Sequence, residues 1–279
     1  IASSNNGGRT WSYSVSKESL LPPDFQGNGG FGAANCFGND DDIRCIATGS
    51  YEDQDSTQYP LVALSTNGGK TWSYPVSKTS IATTKPTNYS GGGVFNGASC
   101  SGKGTKAICI ASGSYEEGDL LQNPMVSLSS NGGMTWSYPI DSKTLPIDFL
   151  KGASLFGANC IGTGSTTQCM ATGNYIAKNL ITYPLLIASS NAGVTWNYSI
   201  EKTKKLPAAY QNEGILTAVN CSEGTGICLA SGLYVTNGIQ FPLLALSSKG
   251  DPTQWTFPIE KGRTLPKGFI SQGFLAGIN

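Results

Sequence analysis

The chain repeats one phrase, Ser-x-Asn-Gly-Gly-x-Thr-Trp, at residues 4–11, 65–72, 129–136 and, slightly worn, 189–196, with a degraded fifth copy ending at Trp255. All five tryptophans fall in these copies, and they are spaced 61, 64, 60 and 59 residues apart. A fixed period of that length is the mark of a repeat architecture in which each repeat is one supersecondary unit. The 279 residues then read as one array, expected to form a single domain over 1–279.

The cysteines keep the same beat. They form one pair per repeat: Cys36 with Cys45, Cys100 with Cys109, Cys160 with Cys169, and Cys221 with Cys228. Each pair flanks a short polar loop containing Gly, as the two facing positions of an antiparallel hairpin would. Disulfides are the favoured reading, and they imply an oxidising compartment: secreted, periplasmic or cell-surface. Zinc bound by cysteine pairs is the rival. It needs two repeats to converge on one ion, and these loops are longer than the usual zinc spacing. Buried free thiols are the third possibility.

Composition narrows the function. Histidine is absent, which removes the usual general base and the commonest metal ligand. Lys+Arg and Asp+Glu balance at 18 each, so no electrostatic case exists for nucleic acid or an anionic membrane. No apolar run is long enough to span a bilayer. The chain begins inside a repeat and without Met, as a processed form or a fragment would.

Aligning the repeats on Trp and Cys predicts four strands in each. A small-residue strand such as Phe31–Cys36 leads to the first Cys, and a second such as Cys45–Tyr51 leaves the second Cys. A third, Pro60–Ser65, precedes the phrase, and a fourth leaves its Trp. No segment has a sustained helical period. Antiparallel four-stranded units of about 60 residues describe blades of an all-β propeller. The Asn-Gly-Gly corner is expected to need positive φ, and the Trp to pack between neighbouring blades.

The phrase resembles the Asp-box, or bacterial neuraminidase repeat, Ser-x-Asp-x-Gly-x-Thr-Trp, with Asn6, Asn67, Asn131 and Asn191 in place of the Asp. The resemblance implies a propeller in which the box sits on the corner between the third and fourth strands. Asp-box propellers include sialidases, other glycoside hydrolases, sorting receptors and assembly factors. The box is a folding element in them, so it carries no activity over to this chain. A sialidase would need three arginines around its substrate. The chain has only Arg9, Arg44 and Arg263, of which the first two are expected on the face away from a ligand.

Complete blades are expected at about 31–77, 94–140, 155–200 and 215–259. Residues 1–15 read as the end of a third strand plus a fourth, and 270–279 as the start of a first strand. Both ends then belong to one incomplete seam blade, making five. A four-bladed ring with surplus strands ranks below this.

Ligands of propellers usually meet the face holding the second-to-third-strand loops and the loops between blades. Candidates there are Tyr51, Glu52, Asp53 and Asp55 of the first repeat, and Tyr115, Glu116, Glu117 and Asp119 of the second. The inter-blade loops add Phe25, Phe149 and Tyr210 from a repeated Leu-Pro-x-x-aromatic element. Aromatics that recur in every repeat are weighted toward packing, with sugar stacking second. The acidic loops offer the one visible carboxylate pair, against the reading of a solvated patch. Asp40, Asp41 and Asp42 are a weak Ca²⁺ candidate on the opposite face, and no other cofactor is indicated. The sequence favours a non-enzymatic, secreted or surface-exposed binding propeller for a carbohydrate or protein ligand. The alternatives are self-assembly through the open blade and a carboxylate-dependent glycoside hydrolase.

Overall fold

A computed structural model describes all residues except 5, 7, 16–20, 40, 41, 82, 119, 120, 141–144, 203–205, 208, 209, 249, 250, 260–264, 266–272, 278 and 279. It is all-β. After a short ribbon, β1 (Ala2–Ser3) with β2 (Ser12–Tyr13), the first full repeat folds as β3 (Gly29–Phe37), β4 (Arg44–Glu52), β5 (Gln58–Ser65) and β6 (Ser73–Val76). The second holds β7 (Tyr89–Ser101), β8 (Ile108–Glu117) and β9 (Leu121–Ser129). Its fourth strand is reduced to one bridge, Leu128 to Ser137. The third holds β10 (Phe149–Ile161), β11 (Gln168–Ala177), β12 (Thr182–Ser189) and β13 (Asn197–Ile200). The fourth holds β14 (Glu213–Cys221), β15 (Cys228–Thr236), β16 (Ile239–Ser248) and β17 (Asp251–Thr256). Within each repeat, neighbours in sequence pair antiparallel, and a single parallel contact, Thr182 with Glu213, links the third repeat to the fourth. Short helical turns occur at α1 (Lys78–Ile81) and, in 3₁₀ form, at Gly104–Lys106 and Gly164–Thr166, where the sequence shows no sustained helical period.

The second strand of each repeat is the sheet's centre and is covered on both faces. Residues 45–51 of β4 are all buried, which is why Cys-Ile-Ala-Thr-Gly-Ser-Tyr shows no alternation. Gly49, Gly113, Gly173 and Gly232 recur there for a steric reason. The first strand bulges by one residue opposite each of them. A Cβ at these glycines would lie 1.8–1.9 Å from the carbonyl oxygens of Gly30, Val94, Ser154 and Ile215. Only glycine lets the bulge close.

Three apolar cores lie between repeats. Ile46, Val62 and Leu64 of the first repeat meet Phe95, Met125 and Trp136 of the second. Ile110, Val126 and Ile140 meet Leu155, Leu185 and Ile187, with Trp196 packed alongside, and Met170, Leu186 and Ile200 meet Leu216, Leu243 and Trp255. The second and third repeats therefore each bury one face against the repeat before and one against the repeat after. The four cysteine pairs are disulfides, each joining residues directly opposed across the first and second strands. Among the described residues no helix is long and apolar enough to cross a membrane.

The chain's two ends lie at opposite ends of this array. The indole of Trp72 donates to Ser14 Oγ (2.9 Å), and Gly69 abuts Ser3, so residues 1–15 flank the first full repeat. Leu275 N–H donates to Gly232 O (3.1 Å) and Thr217 Oγ1 to Leu275 O (3.0 Å), laying 273–277 beside the fourth repeat.

Candidate functional site

The loops divide between two faces. On one, each hairpin between the first two strands meets the box turn of the same repeat: Gly68, Gly132 and Ala192 donate their N–H to Ile43, Ala107 and Thr167 carbonyls at 2.9–3.0 Å. The box itself is one hydrogen-bond network, repeated in the four full copies of the phrase. In the third copy Ser129 Oγ accepts from Gly133 N–H (2.9 Å), and Asn131 Oδ1 accepts from Thr135 N–H (2.9 Å). Trp136 Nε1 donates to Gly133 O (2.9 Å). Asn131 Nδ2 donates to Thr135 Oγ1 (2.8 Å) where an Asp would have to accept, so the amide reverses one bond and keeps the turn uncharged. The positive φ falls on Gly68, Gly69, Gly132, Gly133, Ala192 and Gly193, and not on the asparagines. The corner takes the expected positive φ at the two residues after the Asn, and the Asn is used for its side-chain bonds.

The opposite face carries the inter-blade loops. Phe25, Tyr89, Phe149 and Tyr210 each donate their N–H to a proline carbonyl three residues back, Pro22, Pro86, Pro146 and Pro207. This turn points each ring at the tyrosine ending the second strand. Phe25 stacks on Tyr51 (6.5 Å), Tyr89 on Tyr115 (6.1 Å), Phe149 on Tyr175 (6.5 Å) and Tyr210 on Tyr234 (6.5 Å). The second-strand tyrosines are at most 2% exposed, which places Tyr51 and Tyr115 in the packing of the face, with their ring faces covered. Tyr51 donates to Asp24, and Tyr115 to Thr87 O. Burial pushes the Tyr51 hydroxyl well above its ordinary range, and the neighbouring Asp24 carboxylate adds to this.

Asp24 and Asp148 are residues the sequence reading passed over. Tyr51 and Tyr175 donate to them, and Lys78 and Lys202 return a backbone N–H to the same hydroxyls (2.9 and 3.1 Å). The lysine heads lie over Tyr59 and Tyr183. The signal was present as Pro-x-Asp-Phe, found at 22–25 and 146–149 and missing from the second and fourth repeats. Read as one pattern with its Asp, it separates alternate repeats.

The acidic candidates scatter to different duties. Asp53 is 3% exposed. Its Oδ1 accepts from the N–H groups of Asp55 and Thr57 (3.0 Å each), and its Oδ2 takes the Lys78 ammonium. The Lys78 bond holds its carboxyl below the usual range. Glu52 accepts from Asn28 (2.8 Å), and Glu117 from Asn88 (2.7 Å) and Asn123 (2.8 Å). Asp55 is exposed, and Asp119 lies outside the described residues. Glu116 alone of this set lines a polar cleft of about 450 Å³ between the first and second repeats, with Ser56, Thr57, Gln58, Ser90, Gly91 and Gly92. Gly92, at φ +72°, makes room for it: a Cβ there would lie 2.5 Å from the Glu116 carboxyl carbon.

Of the Ca²⁺ candidates, Asp40 and Asp41 lie outside the described residues, and Asp42 pairs with Arg44 (3.1 Å) on the box face. Among the described residues no group of three or more His, Cys, Asp or Glu stands together as a metal site. Arg9 is exposed in the first box turn, and Arg263 lies outside the described residues.

No family model and no curated protein matches the chain. Solved structures do. The Trypanosoma rangeli sialidase in complex with the inhibitor DANA aligns at a TM-score of 0.50 and 16% identity, over 82% of this chain and 38% of that one. A Hadza microbial sialidase aligns at 0.48 and 16%, over 92% and 50%. A glycoside hydrolase aligns at 0.44 and 10%, over 86% and 75%.

Proposed function

We propose, for a chain that spans half or less of the length of the sialidases it matches, a non-enzymatic binding propeller, secreted or surface-exposed, that takes a carbohydrate in the polar cleft around Glu116. The observation that carries this is the division of labour among the carboxylates. Asp53, Glu52 and Glu117 are each engaged by an ammonium or an amide, and among the described residues of the set Glu116 alone lines the cleft. A glycosidase needs a facing pair. A lining of hydroxyls, one amide and one carboxylate suits a ligand rich in hydroxyl groups. The disulfides support an oxidising compartment.

A glycan array probed with the 279-residue chain tests this. Glu116→Gln and Ser90→Ala are expected to weaken a hit by about tenfold each. An array with no hit overturns the carbohydrate reading. Turnover of a glycoside that disappears in Glu116→Gln overturns the non-enzymatic one.

One observation favours assembly as a second reading. Trp11 is 65% exposed and Tyr13 82%, whereas Trp136 is 7% and Trp255 9%. At the other end Leu229 and Leu246 are half-buried, although their counterparts Ile46 and Leu64 are covered by the next repeat. We read residues 1–15 and 273–277 as parts of one seam blade, giving a five-bladed ring over 1–279. If these surfaces meet between copies, light scattering will show a mass above 29.1 kDa that falls on dilution and with Trp11→Ser. A monomer at all concentrations removes assembly.

A further inference from the structure

Twice within this chain the start of a third strand docks on a glycine of the following repeat. Tyr59-Pro60 and Tyr183-Pro184 open these two strands. A Cβ on Gly93 would lie 3.1 Å from Pro60 Cδ, and one on Gly214 would lie 2.9 Å from Pro184 Cδ. The residue before the proline contributes its ring: Tyr183 stacks on Tyr210, the loop aromatic of the next repeat, at 5.4 Å. The receiving surface is thus a glycine on the first strand beside a loop aromatic and a second-strand tyrosine. It selects an aromatic–proline pair because the bare backbone admits the proline ring and the loop ring covers the aromatic.

The first full repeat has the same surface. Gly29 stands opposite Tyr51 one residue before the Gly30–Ser50 pair, as Gly214 stands one residue before Ile215–Leu233. Phe25 is the loop aromatic. The nearest neighbours of a Cβ at Gly29 are Phe25, Ser50 and Tyr51 of its own repeat, all at 3.0 Å. In front of them opens a largely apolar groove of about 350 Å³ lined by Val15, Phe25, Gly29, Phe31, Tyr51 and Leu61.

We infer that this groove binds an extended peptide segment of the form aromatic–Pro–Leu, supplied by a separate partner chain. The aromatic ring lies on Phe25, the proline on Gly29, and the following aliphatic residue against Phe31 and Leu61. A folded second copy is a poor donor, because Pro60, Pro124 and Pro184 are buried, Tyr183 is 7% exposed, and the aromatic ring of the remaining copy, Phe241-Pro242-Leu243, is 5% exposed. The partner presents the motif in an unfolded or strand-like stretch, bound as β-strand-recognising modules bind theirs.

The test is calorimetric titration of the full chain with a peptide copied from Thr182–Ile187 (Thr-Tyr-Pro-Leu-Leu-Ile) carrying a Lys tail for solubility. Saturable binding is expected, weakened about tenfold or more by Ala at either the Tyr or the Pro of the peptide. Gly29→Val, which puts a branched side chain where the proline sits, should abolish it. Phe25→Ala should weaken it with little effect on the repeat's disulfide-held strands. It serves as the second probe if Gly29→Val fails to fold. No saturable binding up to millimolar peptide overturns the proposal. So does binding that is indifferent to the peptide alanines, or to both protein variants.

Discussion

The box face and the loop face are built from the same repeats, yet they differ in how faithfully they copy themselves. On the box face Ser65, Ser129 and Ser189 are all at most 1% exposed and accept from the same glycine N–H at 2.8–2.9 Å. On the loop face the tyrosine hydroxyl finds Asp24 in the first repeat, a carbonyl in the second and Asp148 in the third. Closing a corner needs one solution, repeated. The polar cleft around Glu116 and the apolar groove beside Phe25 both lie on the face that varies.

The comparison breaks most visibly if copies of the box are not equivalent in energy. Trp136→Ala should cost about 3–5 kcal/mol in urea unfolding because it empties an inter-repeat core. Trp11→Ala, at 65% exposure, should change stability by no more than about 0.5 kcal/mol. Similar losses for both would mean that Trp11 is covered in solution. Next, removing the Cys100–Cys109 disulfide by paired Ala substitution should cost about 2–3 kcal/mol, measured the same way. Equal losses at Cys160–Cys169 would sharpen the view of the box face as uniform scaffold. Ser129→Ala leaves a buried glycine N–H without its acceptor and should cost about 1–2 kcal/mol.

A smaller effect, of opposite sign, is expected at Ala192, which holds φ +57° where the other full copies have glycine. Ala192→Gly should raise stability by about 0.5–1 kcal/mol, seen as a higher melting temperature. On the loop face the signal is a slope. Asp53 is held below its ordinary 3.8, so its stabilising contribution is present above that value and is lost as pH falls through the lower, folded one. Asp53→Asn should flatten the acid limb of the stability profile below pH about 4. An unchanged limb would mean that the Lys78 contact is not made in solution.

Much of the fold was legible because its restraints are local. A turn with fixed hydrogen-bond partners within four residues, and cysteines nine or seven apart across a hairpin, need only their own segment. The strands followed from them, except that the first strands of the second and third repeats begin earlier than expected, at Tyr89 and Phe149, and the second repeat's fourth strand shrank to the Leu128–Ser137 bridge. The candidate site was less legible. Glu52, Asp53 and Glu116 were grouped because they sit near Tyr51 and Tyr115 in the sequence. Their directions depend on Asn28, Lys78 and Gly92, which come from other loops and strands. Phe25, Phe149 and Tyr210 were grouped as one repeated element weighted toward packing, but the tyrosines they pack on, Tyr51, Tyr175 and Tyr234, are set by the fold and not by the repeat.

The sequence by itself determined the repeat length, the strand-rich blades, the box corner and the pairing of cysteines, each enforced by contacts a few residues long. Tertiary structure decided which carboxylate is consumed by an ion pair and which lines a cleft. It also decided that Gly29 and Phe25 front a groove while Gly214 and Tyr210 are covered. Those outcomes turn on which neighbouring sheet a side chain meets, and a period of about 60 residues writes the same letters on both sides of that choice.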